Sequence, residues 1–383
     1  MLCDSDKCLS CFACFASCSK GAIKMHEDEL GKLLPRIDES KCVHCGCCEK
    51  VCPQINPVKK NMPLQCYAGY AKLDPDIKKS SSGGLATALG RFTLKNSGVV
   101  YGAVFSNQEF SYAAITDTQT LDKLRGSKYV YSAAGKIYSD IKRQLNNGVL
   151  CTFIGLPCQV AGLRTFLGKE YDNLVTVDLI CHGAPPFKYL EEYVNSLGLL
   201  GKYDSVMFRG ERNYFFSVVD CEGNVIYSKK QQEDRYFEAF MTGLIHRNCC
   251  YSCQFASSER VSDITLGDFW GLDRNILSEY SGRISCALIN TPKGKEIFEK
   301  VSNDLIFIER SVSEAINGNE QLRRPSNRNP KRDVFEGSYI KKGLSSALRD
   351  SSISKRVKYF TLKNKLLYFP RIVKRMLIKN KNR

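Results

Sequence analysis

Four histidines and one tryptophan are all that 383 residues contain, and no stretch approaches the ~18 apolar residues of a membrane-spanning helix. The start, MLCDSDKC, has neither a basic leader nor an apolar run, so no secretory signal is expected. No G-x-G-x-x-G follows a strand, no Walker-type phosphate loop occurs, and no Ser-His-Asp arrangement stands out. A nicotinamide site is therefore not indicated. Acid is missing altogether from residues 351–383, which carry eleven Lys or Arg; the net charge of +16 leaves only +5 for the first 350 residues. The basicity is local, and no recognised nucleic-acid-binding module accompanies it, so no nucleic-acid partner is expected.

What the chain has in excess is cysteine. Nineteen is an odd number, which rules out complete disulfide pairing. The cysteines clump at two-residue gaps, which suits metal ligation in a reducing cytoplasm. Residues 8–18 read CLSCFACFASC and residues 42–53 read CVHCGCCEKVCP. Both follow C-x2-C-x2-C-x3-C, an internal repeat. Two-residue gaps let three thiolates wrap one face of a 4Fe–4S cube, while the fourth cysteine leaves to ligate the other cube. The first cube is assigned Cys8, Cys11, Cys14 and Cys52, and the second Cys42, Cys45, Cys48 and Cys18. Zinc sites or a disulfide knot fit this crossed spacing poorly. Ser19 stands where Pro usually follows the array. Cys47 is a competitor to Cys48, and Cys3 is read as a bystander.

Beyond the arrays the expected class is α+β: a ferredoxin-like double-cluster domain (1–56), a linker (57–65), an α/β flavin-binding domain with a mixed sheet (66–186), an α+β domain carrying a C-x2-C (187–330), and a basic amphipathic tail (331–383). Strands are expected near 66–72, 97–105, 148–155 and 174–181, with helices at 80–96, 134–147 and 160–168 between them. A right-handed crossover would make the strands before Cys158 and Cys181 parallel and place both thiols on one carboxyl edge, where open α/β sheets bind ligands. The start of a helix beside Cys158 favours a thiolate. Cys250 and Cys253 are a plausible second half of a metal site, with Cys249 as a substitute. Buried bystander thiols, a zinc site or a Cys250–Cys253 redox disulfide are the competing readings. SSSGGLATAL (80–89) opens a helix with bare backbone suited to a pyrophosphate, through Ser82, Gly83 and Gly84. Lys128 could add a cation and Tyr129 a stacking ring. His182 could donate a proton or bond a cluster sulfur.

The double array, SSGGLATAL (81–89), GSKYVYS (126–132), GLPCQVAGLR (155–164), CHGAPP (181–186) and CYSCQFASSERVSDITLGDFWG (250–271) carry a family likeness. From about residue 4 to 320 the chain resembles the beta subunit of coenzyme F420 hydrogenase/dehydrogenase. The resemblance implies bound FAD and electron transfer between iron–sulfur clusters and a deazaflavin, a flavin partner or a pigment. It favours a third 4Fe–4S cluster at Cys158, Cys181, Cys250 and Cys253. The expected function is an FAD-containing iron–sulfur oxidoreductase, taking electrons from a ferredoxin-like carrier or other redox protein to a small organic acceptor. A non-catalytic electron-transfer subunit and an iron–sulfur redox sensor are the alternatives. In the tail, Tyr359, Leu362, Leu366, Phe369, Val373 and Leu377 recur at helical spacing among Lys and Arg, broken at Pro370. That pattern suits an anionic membrane surface, so the expected location is cytoplasmic and at most peripheral to a membrane.

Overall fold

Segments such as VVYGAVFS and LVTVDL are apolar without alternation, which calls for strands covered on both faces. The computed structural model describes residues 2–366 apart from 74–75, 78–79, 107, 211–213 and 274, and it has this arrangement. The N-terminal unit contains α1 (Ala13–Ser17), β1 (Ile23–Glu27), β2 (Leu33–Ile37) and α2 (Cys47–Lys50). Then come β3 (Gln65–Ala71), α3 (Leu85–Lys95), β4 (Val99–Ser106), β5 (Glu109–Ile115), α4 (Ile137–Asn146), β6 (Cys151–Gly155), α5 (Pro157–Leu167) and β7 (Leu174–Leu179). They are followed by α6 (Phe187–Ser196), β8 (Ser205–Arg209), β9 (Tyr214–Val219), β10 (Val225–Lys230), α7 (Arg235–Met241) and α8 (Asn248–Tyr251). The rest is β11 (Ile264–Asp268), β12 (Ser285–Ile289), α9 (Pro292–Val301), β13 (Leu305–Arg310), α10 (Val312–Gly318), α11 (Arg332–Lys342) and α12 (Leu344–Asp350). A further helix runs over 353–366.

The fold is α+β around one mixed sheet of eight strands, in the order β13-β3-β12-β11-β7-β6-β4-β5. β4, β6, β7 and β11 run parallel. β6 and β7 are joined through α5, as the crossover reading required. Strands β11, β12 and β13 return to the sheet begun by β3. The boundary expected at 186/187 therefore falls inside one sheet. β8–β10 form a separate antiparallel sheet, as do β1 and β2.

Each face of the large sheet is covered. On one, Leu85, Ala88 and Leu89 of α3 and Ile297, Phe298 and Val301 of α9 meet Val175, Val177 and Ile264. On the other, α4 and α5 pack together with Leu9, Cys11, Phe12 and Ala13 of the N-terminal unit. Full burial of Leu9 and Phe12 stabilises this docking by about 3–6 kcal/mol. The Thr165 hydroxyl adds a 2.6 Å bond to the Val51 carbonyl. The cysteine-rich unit is thus part of the main core, contrary to the picture of a domain on a linker. The β1–β2 hairpin between its arrays was not legible as a strand pattern.

Candidate functional site

Each array is shaped by residues in the left-handed region. In the first, Ser10 (φ 55°) and Phe12 (φ 69°) occupy one position in each two-residue gap; in the second, His44 (φ 51°) and Gly46 (φ 69°) stand at the equivalent positions. A bulky Phe at positive φ costs about 1–2 kcal/mol. Such strain persists where the chain must turn sharply for function, here to turn successive cysteines the same way. Cys8, Cys11, Cys14 and Cys52 line one cavity, which is the first predicted ligand set. Cys3 lines it as well. It hydrogen-bonds to Cys8 and Cys52, which lowers both of their pKa values. Burial pushes the Cys14 thiol up to about 12 and raises Cys11.

The second set is less gathered. Cys48 lies near enough to Cys14 to raise it, and Cys18 accepts a 3.3 Å bond from the Ala22 amide. Cys45 is exposed and hydrogen-bonded to Cys47. The Cys42 sulfur lies 4.0 Å from His44 Nδ1, with Glu39 close by.

The third set converges from three distant segments. Cys158 stands in the first turn of α5, just after Pro157. Cys181 follows β7, with its sulfur accepting from the Gly183 amide at 3.3 Å. Cys250 belongs to α8, and Cys253 lies just beyond it. Cys181 responds electrostatically to Cys250, Cys158 and Cys253, and Cys158 to Cys253 and Cys250. A buried ion pair places the later segment: Arg260 Nη2 meets Asp178 of β7 at 2.8 Å while its Nη1 bonds the Phe255 and Ser257 carbonyls. The helix start does not make Cys158 a thiolate in the metal-free chain. Burial outweighs the dipole and pushes its thiol up to about 12. This set adjoins the first, because a β-carbon on Gly162, one turn after Cys158, would lie 2.9 Å from the Cys11 sulfur.

On its other side Cys181 joins His182 and Gly183 in the wall of a cavity of about 540 Å3. Ser82, Gly84, Lys128 and Tyr129 line it too. Gly84 is the N-cap of α3 at φ +85°. The Ser82 hydroxyl is buried with no hydrogen-bond partner, an orphan that a phosphate oxygen at this helix start would satisfy. The helix start therefore offers a seat for a phosphate group. Gly83 plays a different part from the expected one. Its amide donates to Ser285 Oγ at 2.8 Å, and a β-carbon there would meet the Gly69 carbonyl at 2.5 Å. Lys128 does not present its ammonium to the cavity either. Its Nζ caps the Leu124 and Arg125 carbonyls at 2.8 Å, and burial pushes its pKa down to about 7. The Tyr129 ring stacks on Phe240, centroids 4.7 Å apart, and its hydroxyl accepts from Arg209 Nε at 2.6 Å. Burial lowers the His182 pKa, so a neutral ring suits hydrogen bonding better than proton donation.

Arg209 was not foreseen. It bonds Tyr129, the Ser81 carbonyl at 2.7 Å and Asp268 at 2.8 Å, and so holds the serine loop against the end of β11. Nothing in MFRG distinguishes it from a surface arginine.

Comparisons with known proteins identify the segments. Residues 66–138 match the N-terminal and residues 150–314 the C-terminal model of the coenzyme F420 hydrogenase/dehydrogenase beta subunit. Residues 7–55 match a 4Fe–4S dicluster domain. The chain belongs to this family of beta subunits. It is 28% identical over 187 residues to the coenzyme F420-dependent sulfite reductase of Methanocaldococcus jannaschii, covering 48% of this chain and 28% of that protein. It is 22% identical over 188 residues to one subunit of the F(420)H(2) dehydrogenase of Methanosarcina mazei, covering 46% and 53% respectively. The chain thus spans at most about half of these curated relatives. A chain of the F420-reducing [NiFe] hydrogenase complex of Methanosarcina barkeri aligns with TM-score 0.46 and 20% identity, over 76% of this chain and 91% of that one.

Proposed function

We propose that this family member is an iron–sulfur flavoprotein oxidoreductase, moving electrons between a ferredoxin-like carrier and an organic acceptor. The observation that carries it is the position of Cys158, Cys181, Cys250 and Cys253, between the Cys11 array and the large cavity. Cubes held by the three cysteine sets would supply single-electron transfer, and an isoalloxazine in the cavity would supply exchange between single electrons and a hydride equivalent. The chain's own part is to hold sulfur sets in contact, to keep water from the inner two, and to offer a phosphate seat at Ser82 and Gly84. His182 orients what lies against the cavity wall by hydrogen bonding. The acceptor class suggested by the relatives' names is a deazaflavin.

Anaerobic purification with metal, sulfide and flavin analysis tests this. The expected result is ~12 iron per chain for three cubes and FAD released on denaturation, with Cys158→Ser losing about a third of the iron. Clusters without flavin, even after reconstitution, would favour a carrier subunit or a redox sensor. An iron count unchanged by Cys158→Ser removes the third set.

The closing helix supports a second reading. Ile353 and Val357 are buried against α6 and α7, while Tyr359, Leu362 and Leu366 are exposed among Lys355, Lys358, Lys363 and Lys365. Among the described residues no helix is long and apolar enough to cross a membrane. Phe369, Pro370, Val373 and Leu377 lie outside them. We propose peripheral docking to anionic lipid. Flotation with phosphatidylserine vesicles tests it, and protein remaining at the bottom of the gradient sinks it.

A further inference from the structure

Arg247 is 3% exposed, and none of the ion pairs among the described residues includes it. A buried charge without a counter-charge is expensive. What surrounds this guanidinium is carbonyl, ring and sulfur. Nη1 donates to the Leu9 carbonyl at 2.8 Å, inside the first array between Cys8 and Cys11. Nε donates to the Ala184 carbonyl at 3.1 Å, three residues after Cys181. Its central carbon sits 3.8 Å from the centroid of Tyr131, whose hydroxyl bonds the Ser10 carbonyl. Arg247 also begins the segment that delivers Cys249 and Cys250.

We propose that Arg247 is a positioning residue, a fixed cation shared by the first and third sulfur sets that clamps their loops together and makes both sets easier to reduce. The proposal rests on the three-set reading above. Its physical basis is a missing anion. Iron is ligated by thiolates, and four of them around a cube would carry net negative charge that grows on reduction. The guanidinium then has the counter-charge the bare protein lacks, and it favours the reduced state of whichever set gains the electron. Its bonds to the Leu9 and Ala184 carbonyls fix it beside one loop of each set. Lys32, buried with Nζ on the Ser5 carbonyl, is a second interior cation near Cys8 and Cys250. Of these two cations, only Arg247 bonds both loops.

The test is an EPR-monitored redox titration of full-length protein with iron counted in each sample. In Arg247→Gln the midpoint potentials of two of the three cubes should move to more negative values. The third cube, held by the exposed Cys45 array, should stay where it was, at unchanged iron content. Three unmoved potentials overturn the proposal while leaving the three-set reading intact. A wild-type count of ~8 iron sinks the reading itself and the proposal with it. If Arg247→Gln does not hold iron, Arg247→Lys decides. Iron restored with wild-type potentials supports a role for the charge, and failure to restore iron overturns it in favour of packing alone.

Discussion

The two N-terminal arrays repeat one spacing and one pair of left-handed turns, yet one is interior and the other faces solvent. Cys8 and Cys11 are buried, and Cys11 shares a core with α4 and α5, while Cys45 and Cys47 are exposed. Ligand chemistry alone does not require this asymmetry, because a cube needs four thiolates wherever it sits. The difference is one of surroundings: the exposed array is open to solvent, and the buried one lies against the third set of cysteines. Substitutions at matched positions should separate the two environments.

The largest contrast is expected at the ligands. Cys11→Ser removes a cube ligand and leaves a hydroxyl without a partner in a packed interior, a cost of about 1–3 kcal/mol beyond the lost cluster. Cys45→Ser removes a ligand at the surface and costs the fold little. Both variants should lose about a third of the iron. Only Cys11→Ser should lower the unfolding midpoint of the metal-free protein by several degrees. Equal thermal shifts would erase the distinction between interior and surface arrays.

Smaller but sharper is a pair of glycines. Gly162→Ala sets a methyl 2.9 Å from the Cys11 sulfur and 2.8 Å from its β-carbon, a clash of about 1–3 kcal/mol that should change the EPR line shape of the first cube. Gly46→Ala meets nothing within 4 Å, but stands at φ +69° and costs about 1 kcal/mol through backbone strain. It should leave the first cube's spectrum alone. If Gly162→Ala is spectroscopically silent, the first array and α5 are not in contact.

These contrasts also mark what the primary structure could reveal. The eight cysteines of the two arrays could be singled out because thiol spacing is a local property, and the parallel pair β6 and β7 followed from alternation and the handedness of crossovers. Return of β11–β13 to the first sheet could not be read locally. DITLG and SCALI are short apolar runs that suit several sheets, and their partners are fixed by packing against β3 and β7. The same limit hid Arg209 and Arg247. A charged residue is recruited to the interior by what it faces, and one sequence does not record that. Lys128 failed in the opposite sense: a lysine near a phosphate loop looked like a ligand, but its ammonium caps carbonyls of the preceding turn.

The smallest predicted effect asks whether the interior side of the comparison is also its acid-sensitive side. His246 is buried against Gly183 and Tyr251, and neither ring nitrogen has a hydrogen-bond partner. Burial, helped by the charges of His182, Arg332 and Arg247 and opposed by the Phe240 backbone, pushes its pKa down to about 3. The unfolded chain takes up this proton near pH 6.5, so between pH 6.5 and about 3 the unfolded state binds more protons than the folded one. Stability from this group is therefore complete above pH 6.5 and is lost as the pH falls. At pH 5.5 the loss is about 1.4 kcal/mol. Urea unfolding of metal-free protein at pH 7.5 and 5.5 measures it. The wild type should lose that amount more than His246→Leu, which has no proton to gain. Parallel losses in the two proteins would mean that the ring has a partner the buried cavity does not reveal, and that acid acts elsewhere in the fold.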